Sequence, residues 1–456
     1  MNSKSKNIDM CSGPLFKNIF MFSLPLMMTS LLQLLYNAAD VIVVGRYAGQ
    51  QALAGVGTSG ALLNLTLNLF LGLSGGVSVA MARAVGAKND TDIHRVVHTA
   101  VTISLIAGSF MTAFGVIFVE KLLALIDVPA DVMPQAVAYM RMLFCGMIPS
   151  MVYNFGSGLL RSKGDTKRPL YIISISGIIN VVLNLFFVIQ LGMKADGVGL
   201  ATIISQFFSA AMILIILRRQ PDSSKLSFRK LRIYKKQFMM ILKIGIPAGL
   251  QGMVFSLSNV IVQSNVNSFG TAAIAGCAAA GNIEGFMFAA LNTFHQASMT
   301  FVSQNIGAKK YERIGKVIKS CFLFALIIGV VISLIAIFAG KLLLKIYCPT
   351  DMEAVNIGYV RLTIVGATYM LCGFMDIMSG ALRGMGASFS SMLTSVLGVC
   401  GIRIMWIFTV FKAVHSFETL FFSFPISWAG TFLLHSILYM FVKRKYNPRI
   451  TINSTV

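Results

Sequence analysis

About twelve apolar runs, each of roughly 18 residues or more, leave this chain one solvent in which it can fold, a lipid bilayer. They fall at 16–44, 51–80, 96–119, 134–155, 169–191, 197–217, 239–265, 272–302, 317–339, 355–379, 388–410 and 419–442. No soluble core of this size could hide them. Apolar residues make up 56% of the chain and charged ones 12%, against about 25% charged in soluble domains. Several runs exceed the ~20 residues that a span needs, which predicts tilt, kinks or extension into the interface. The expected fold is an all-α polytopic membrane protein with twelve transmembrane helices. A short Lys-containing tail enters the first run with no small-residue cleavage site, so that run reads as a retained helix and not a signal peptide.

The formal net charge of +22 would suggest nucleic acid in a soluble protein. Its placement points to a membrane instead. One set of alternate loops holds most of the cations: Lys4, Lys6 and Lys17, then Arg83, Lys88 and Arg95, then Arg161, Lys163, Lys167 and Arg168. The stretches Arg218 to Lys243, Lys309 to Lys319 and Lys443 to Arg449 fall on the same side, as does Arg383. The opposite loops carry few cations and the acids Asp127, Asp131, Asp351 and Glu418. This positive-inside bias puts both termini in the cytoplasm and makes the span count even. Nucleic-acid binding is not expected. The seven cysteines are scattered without a CxxC pair and the five histidines have no ligand spacing, so no metal or other cofactor is expected.

An internal repeat divides the chain. Leu24-Pro25 returns as Ile246-Pro247, Ala52-Leu53-Ala54-Gly55 as Ala273-Ile274-Ala275-Gly276, and Gly86-Ala87-Lys88 as Gly307-Ala308-Lys309. Val128-Pro129-Ala130-Asp131 returns as Cys348-Pro349-Thr350-Asp351. Gly158-Leu159-Leu160-Arg161-Ser162-Lys163-Gly164 returns as Gly380-Ala381-Leu382-Arg383-Gly384-Met385-Gly386. All recur in order at an offset of about 220–222 residues, which chance does not produce. Six spans separate equivalent positions, so the copies keep the same orientation. The expectation is two six-helix bundles, 1–217 and 239–456, joined by a cytoplasmic linker at 218–238 and related by a pseudo-twofold axis along the membrane normal. A cavity between such lobes, opening to either side in turn, is the mechanical use of this plan. Pro25 and Pro247 each remove a helix hydrogen bond at equivalent places, as moving gates or as static kinks.

Of sixteen acidic residues, Asp40, Glu284 and Asp376 lie inside the runs. An intramembrane carboxylate is costly, and it faces a cavity, pairs, or binds an ion or proton. Gln33, Tyr36, Asn37 and Asp40 share one helix face by i, i+3, i+4, i+7 spacing. At the helical rise, Asp40 lies about 9 Å below the outer edge, Asn184 about 12 Å and Thr202 about 9 Å, with Asn180 one turn from Asn184. Asp40, Asn180, Asn184 and Thr202 are therefore candidate ion-coupling residues, able to hold sodium or a proton. For the amides and the threonine, ordinary interhelical hydrogen bonding is the plainer alternative. The first run of the second half (Gln251, Phe255, Ser258, Asn259, Gln263) is polar but uncharged, so coupling should be lopsided. Glu284 and Asp376 suit cationic substrates, or pair with Arg361 or Arg403. Asn154 matches Asp376 by the repeat. Gln33, Tyr36, Asn37, Asn154, Glu284 and Asp376 are the candidate substrate-binding residues.

The segments Leu24-Pro25, Gln33-Leu34-Leu35-Tyr36-Asn37-Ala38-Ala39-Asp40, Val44-Gly45-Arg46, Ala52-Leu53-Ala54-Gly55 and Gln304-Asn305-Ile306-Gly307-Ala308 resemble the MATE (multidrug and toxic compound extrusion) family. Leu160-Arg161-Ser162-Lys163-Gly164-Asp165-Thr166 and Ala201-Thr202-Ile203-Ile204-Ser205 do so too. The resemblance spans essentially the whole chain and leans to the bacterial DinF-like branch. It implies a multi-pass protein of a bacterial plasma membrane, monomeric, exporting cationic or amphipathic small molecules against a proton or sodium gradient. It also implies ion coupling at Asp40, grouped with Asn180 and Thr202. Asn184 stands where that branch carries a second acid, and the seventh-span glutamate of NorM-like members is absent. Asp376 lies about one turn from their tenth-span acid. On balance the resemblance favours protons as the counter-ion. A flippase for lipid-linked sugars is the alternative; it would show several cavity arginines for pyrophosphate. A major facilitator transporter would carry Gly-x-x-x-Asp-Arg where this chain has Gly86-Ala87-Lys88-Asn89-Asp90. An embedded enzyme would need clustered acids or histidines, and this chain has isolated ones.

Overall fold

The computed structural model describes residues 8–349 and 351–446, so Lys4, Lys6, Thr350 and Arg449 lie outside the described residues. The helices are α1 (Leu15–Val43), α2 (Gln50–Gly86), α3 (Asp90–Ala124), α4 (Met133–Cys145), α5 (Met147–Ser162), α6 (Lys167–Leu185) and α7 (Ala195–Arg218). They continue as α8 (Lys235–Asn267), α9 (Thr271–Gly307), α10 (Glu312–Tyr347), α11 (Met352–Arg361), α12 (Tyr369–Gly384), α13 (Ser388–Ser395), α14 (Ile402–Trp406) and α15 (Phe417–Arg444). Among the described residues there is no strand. Among the described residues ten helical stretches are long and apolar enough to span a membrane. The bent pairs α4–α5 (46°) and α11–α12 (44°) bring the number to twelve if each is one span. The protein is thus the all-α polytopic membrane protein expected. Its outer faces are apolar: Phe338, Leu342 and Ile346 of α10 are all exposed, as lipid-facing side chains must be.

Packing divides the chain into two units. One holds Ile8 and residues 28–245, the other residues 9–27 and 246 onward. Each unit takes the start of one helix and the rest of another. In the second unit Phe16 and Phe20 of α1 stack on Phe324, and Phe22 meets Phe301 edge-on. The first unit keeps the start of α8, where Ile241 lies so close to Gly76 that a Cβ there would sit 2.3 Å from the Ile241 carbonyl oxygen. Both transfers, after Met27 and after Gly245, fall beside the prolines of the repeat, Pro25 and Pro247.

The repeated motifs are helix ends. After α2, Asn89 N–H donates to the Ala84 carbonyl and Lys88 N–H to the Val85 carbonyl; after α9, Lys310 and Lys309 bond Asn305 and Ile306 in the same way. This is the Schellman cap, with Lys88 and Lys309 at the left-handed position (φ 51° and 58°). Leu160 to Asp165 and Leu382 to Ala387 form the same cap around Gly164 and Gly386, φ 89° and 88°. At the start of the motif, a Cβ on Gly158 would meet Ser78 Oγ at 2.8 Å and one on Gly380 the His295 carbonyl oxygen at 2.5 Å. Glycine at these places lets α5 close on α2 and α12 on α9.

The 218–238 stretch is docked on the first unit. Ser227 N–H donates to His98 Nε2 at 3.1 Å, and Lys163 Nζ reaches Asp222 Oδ2 at 2.7 Å and Ser224 Oγ at 2.6 Å. Partial burial alone would raise the Asp222 carboxyl, but the Lys163 and Ser224 bonds hold it below the usual carboxylate range.

Candidate functional site

The first unit joins α1, α6 and α7 through the residues of the predicted coupling cluster. Asp40 of α1 accepts a hydrogen bond from the Asn184 amide of α6. The same amide donates to Asn180 Oδ1 at 3.3 Å, and Asn180 donates to the Thr202 hydroxyl of α7 at 3.4 Å. Asn180 and Asn184 are buried, and Asp40 and Thr202 are half-buried. Asn184 Oδ1 has no hydrogen-bond partner among the described residues. A buried acceptor left empty costs about 1–3 kcal/mol. Its free lone pairs can take a cation or the O–H of a protonated carboxyl.

Packing sets this geometry. The Tyr36 ring lies against Gly177, where a Cβ would fall 1.8 Å from Tyr36 Cζ, and Tyr36 O–H donates to the Ser174 carbonyl at 3.2 Å. Ser176 donates to the Ser205 carbonyl at 2.8 Å, fixing α6 against α7. Both helices of the Asp40–Asn184 contact widen into π-turns just beyond it, at Val44–Ala48 and Phe186–Gln190. Such turns bend a helix and cluster at functional sites. Tyr139 of α4, buried and close enough to feel the Asp40 charge, was not singled out in the sequence; a lone tyrosine in an apolar run gives no signal.

The predicted substrate residues are dispersed. Gln33 and Asn37 are exposed on the α1 stripe and Tyr36 is half-buried. The Asn154 side chain donates to the Ser150 carbonyl at 2.9 Å, while its backbone oxygen accepts from Ser74 at 2.9 Å. Glu284 of α9 is held side-on by Arg361 of α11, at 2.8 Å to Nε and 2.7 Å to Nη2. The carboxylate of Asp376, on α12, has Arg383 within electrostatic reach, and the Asp376 backbone carbonyl accepts from His295 Nδ1 at 2.7 Å. Arg383 itself donates to Gln251 Oε1 at 2.8 Å.

The second unit also has a three-helix junction, of α8, α14 and α15, and at its centre is Arg403. Nη1 donates to Asn259 Oδ1 at 3.1 Å and Nη2 to Ser427 Oγ at 3.4 Å. The guanidinium carbon stands 4.1 Å from the Phe424 ring centroid. The sequence had offered Arg403 as a partner for an acid. Glu284 takes Arg361 instead, and Arg403 makes no ion pair among the described residues.

The MatE family profile matches residues 25–186 and 247–409, one stretch in each half. The probable multidrug resistance protein YoeA of Bacillus subtilis is 28% identical over 442 residues, 94% of either chain. The FAD transporter of Shewanella oneidensis is 22% identical over 392 residues, 84% of this chain and 86% of its own. Among solved structures, a crystal structure of MATE in complex with MaL6 superposes with a TM-score of 0.91 at 20% identity, covering 97% of this chain and 99% of that one.

Proposed function

The chain belongs to the MATE (MatE) family of membrane transporters, and from that premise we propose that it is an antiporter that exports cationic or amphipathic small molecules by alternating access in exchange for protons. The observation that carries the coupling is the Asp40–Asn184–Asn180–Thr202 chain with its empty, buried Asn184 Oδ1. When Asp40 is charged, the Asn184 amide N–H holds it. When Asp40 is protonated, its O–H can donate to the amide oxygen once Asn184 turns. One amide thus serves both states, and the change of charge alters how tightly α1 is held to α6. The same four oxygens could ligate sodium, since hard cations take carboxylate, amide and hydroxyl oxygen.

A broad substrate range is supported by the relatives, of which one is described as a probable multidrug resistance protein and another as an FAD transporter. Gln33, Tyr36, Asn37, Asn154 and Asp376 are the polar groups assigned to substrate, with Glu284 acting through its Arg361 pair. The transporter works as a monomer in a bacterial plasma membrane. The loop bias of Lys and Arg supports cytoplasmic termini. The test is efflux from proteoliposomes under a pH gradient and a sodium gradient imposed separately. Asp40→Asn should reduce gradient-driven efflux to that of empty vesicles; wild-type rates in the variant would overturn the coupling role. A response to sodium alone would move the assignment from proton to sodium.

A further inference from the structure

The two three-helix junctions hold opposite charge. At the repeat offset of about 222 residues, Asn259 answers Asn37, Ser427 answers Ser205 and Val262 answers Asp40. The acid of the first unit has no counterpart, and a guanidinium occupies the second junction instead. Arg403 is 3% exposed, and its Nε has no hydrogen-bond partner among the described residues. Its two side-chain partners, Asn259 and Ser427, are neutral. Glu284 is already held by Arg361, and Arg361 stands over the same Phe424 ring at 5.9 Å. Arg403 therefore has no carboxylate at ion-pair distance among the described residues. A buried cation with no ion-pair partner is expensive in a membrane, and such groups mark a ligand path.

We propose that Arg403, with Asn259 and Ser427, is an anion subsite that takes the carboxylate or phosphate group of a transported amphipathic molecule. The Nε–H and the adjacent Nη form the side-on edge that matches a two-oxygen anion. Phe424 fixes the plane of the guanidinium by stacking. Asn259, which takes Nη1, is exposed on α8, so the cluster reaches the protein surface at that end. The five-residue α14 that carries Arg403 lies between π-turns at Val396–Gly401 and Ile407–Phe411, which lets that helix shift as the anion enters. The proposal deepens the efflux reading and rests on it for the word transported.

The probe is one rhodamine dye in two forms, the cationic ethyl ester and the zwitterionic free acid. Affinities for the purified protein in detergent are read by fluorescence anisotropy. Wild type should bind the acid about tenfold more tightly than the ester, as a charge-assisted bidentate pair implies. Arg403→Gln should erase that preference, bringing the affinity for the acid down to that for the ester, and Arg403→Lys should keep part of it. Equal affinities in wild type, or a preference that survives Arg403→Gln, overturn the subsite. Should Arg403→Gln lose its monodisperse elution, Asn259→Ala reports the same ratio and should lower it. A preference abolished by phosphatidylglycerol in the micelles would assign the site to a lipid headgroup and overturn the substrate assignment. Proteoliposomes that move neither dye would sink the efflux reading, while the affinity ratio still decides the subsite.

Discussion

The first unit places a carboxylate where three helices meet, and the second places a guanidinium at the corresponding junction. Their backbones agree in detail. Caps fall at Lys88 and Lys309 and at Gly164 and Gly386, spans bend at α4–α5 and α11–α12, and π-turns end the runs at Phe186–Gln190 and Ile407–Phe411. Duplication has thus preserved what the chain needs to fold and left the polar interior to diverge. Function resides in the sites, and the scaffold tolerates either sign.

The largest expected effect separates the two acids. Glu284, itself buried, is the counter-ion of Arg361, whereas Asp40 is held by a neutral amide. Glu284→Gln strands Arg361 beside Arg403, and breaking a buried pair from one side costs about 3–5 kcal/mol. Asp40→Asn removes a half-buried charge and keeps the shape, so its melting temperature in detergent should match or exceed that of wild type even though coupling is lost. Equal destabilisation by both variants would break the comparison. Replacing the pair together, Glu284→Gln with Arg361→Met, should recover most of the loss.

A smaller effect belongs to the first junction. Gly177→Ala puts a methyl group where the Tyr36 ring lies, and overpacking of this kind costs about 1–3 kcal/mol. Tyr36 stands one turn before Asp40, so the displaced ring should also shift the coupling. The expected result is a lower melting temperature together with a changed pH profile of efflux. A lower melting temperature with an unchanged profile would show that Tyr36 packs the helix without positioning Asp40.

Much of this was legible in the sequence for physical reasons. Spans follow from apolar length, and the repeated Gly-Ala-Lys and Leu-Arg-x-x-Gly segments are caps, whose chemistry is local. The Asp40, Asn180, Asn184 and Thr202 set was found because helical rise converts residue number into depth. The partner of Glu284 could not be chosen that way, because Arg361 and Arg403 are both within a span's reach and tertiary packing decides between them. The transfer of α1 and α8 between units beside their prolines is likewise a property of packing, invisible in periodicity.

The smallest effect tests how each unit holds the chain that leaves it. In the first, the cap after α5 carries Lys163, which reaches Asp222 and Ser224 of the connecting stretch. In the second, Met385 takes the equivalent place, and its carbonyl accepts the Tyr446 hydroxyl at 2.7 Å. The first attachment is therefore ionic and sensitive to acid, and the second is neutral. Asp222 is about half exposed, so solvent screens the pair and holds its worth to about 0.2–1 kcal/mol. Its carboxyl lies below the usual range when folded. A depressed carboxylate adds stability that is fully present above the unfolded value, near 3.9, and is lost as the pH falls through the folded value. Asp222→Asn should therefore melt slightly below wild type at neutral pH, and the gap should close below about pH 4. Tyr446→Phe should lower the melting point by an amount that does not change across the same range. A gap for Asp222→Asn that persists in acid would mean that the linker is held by the Ser227–His98 contact and the neutral hydrogen bonds, with the ion pair contributing nothing.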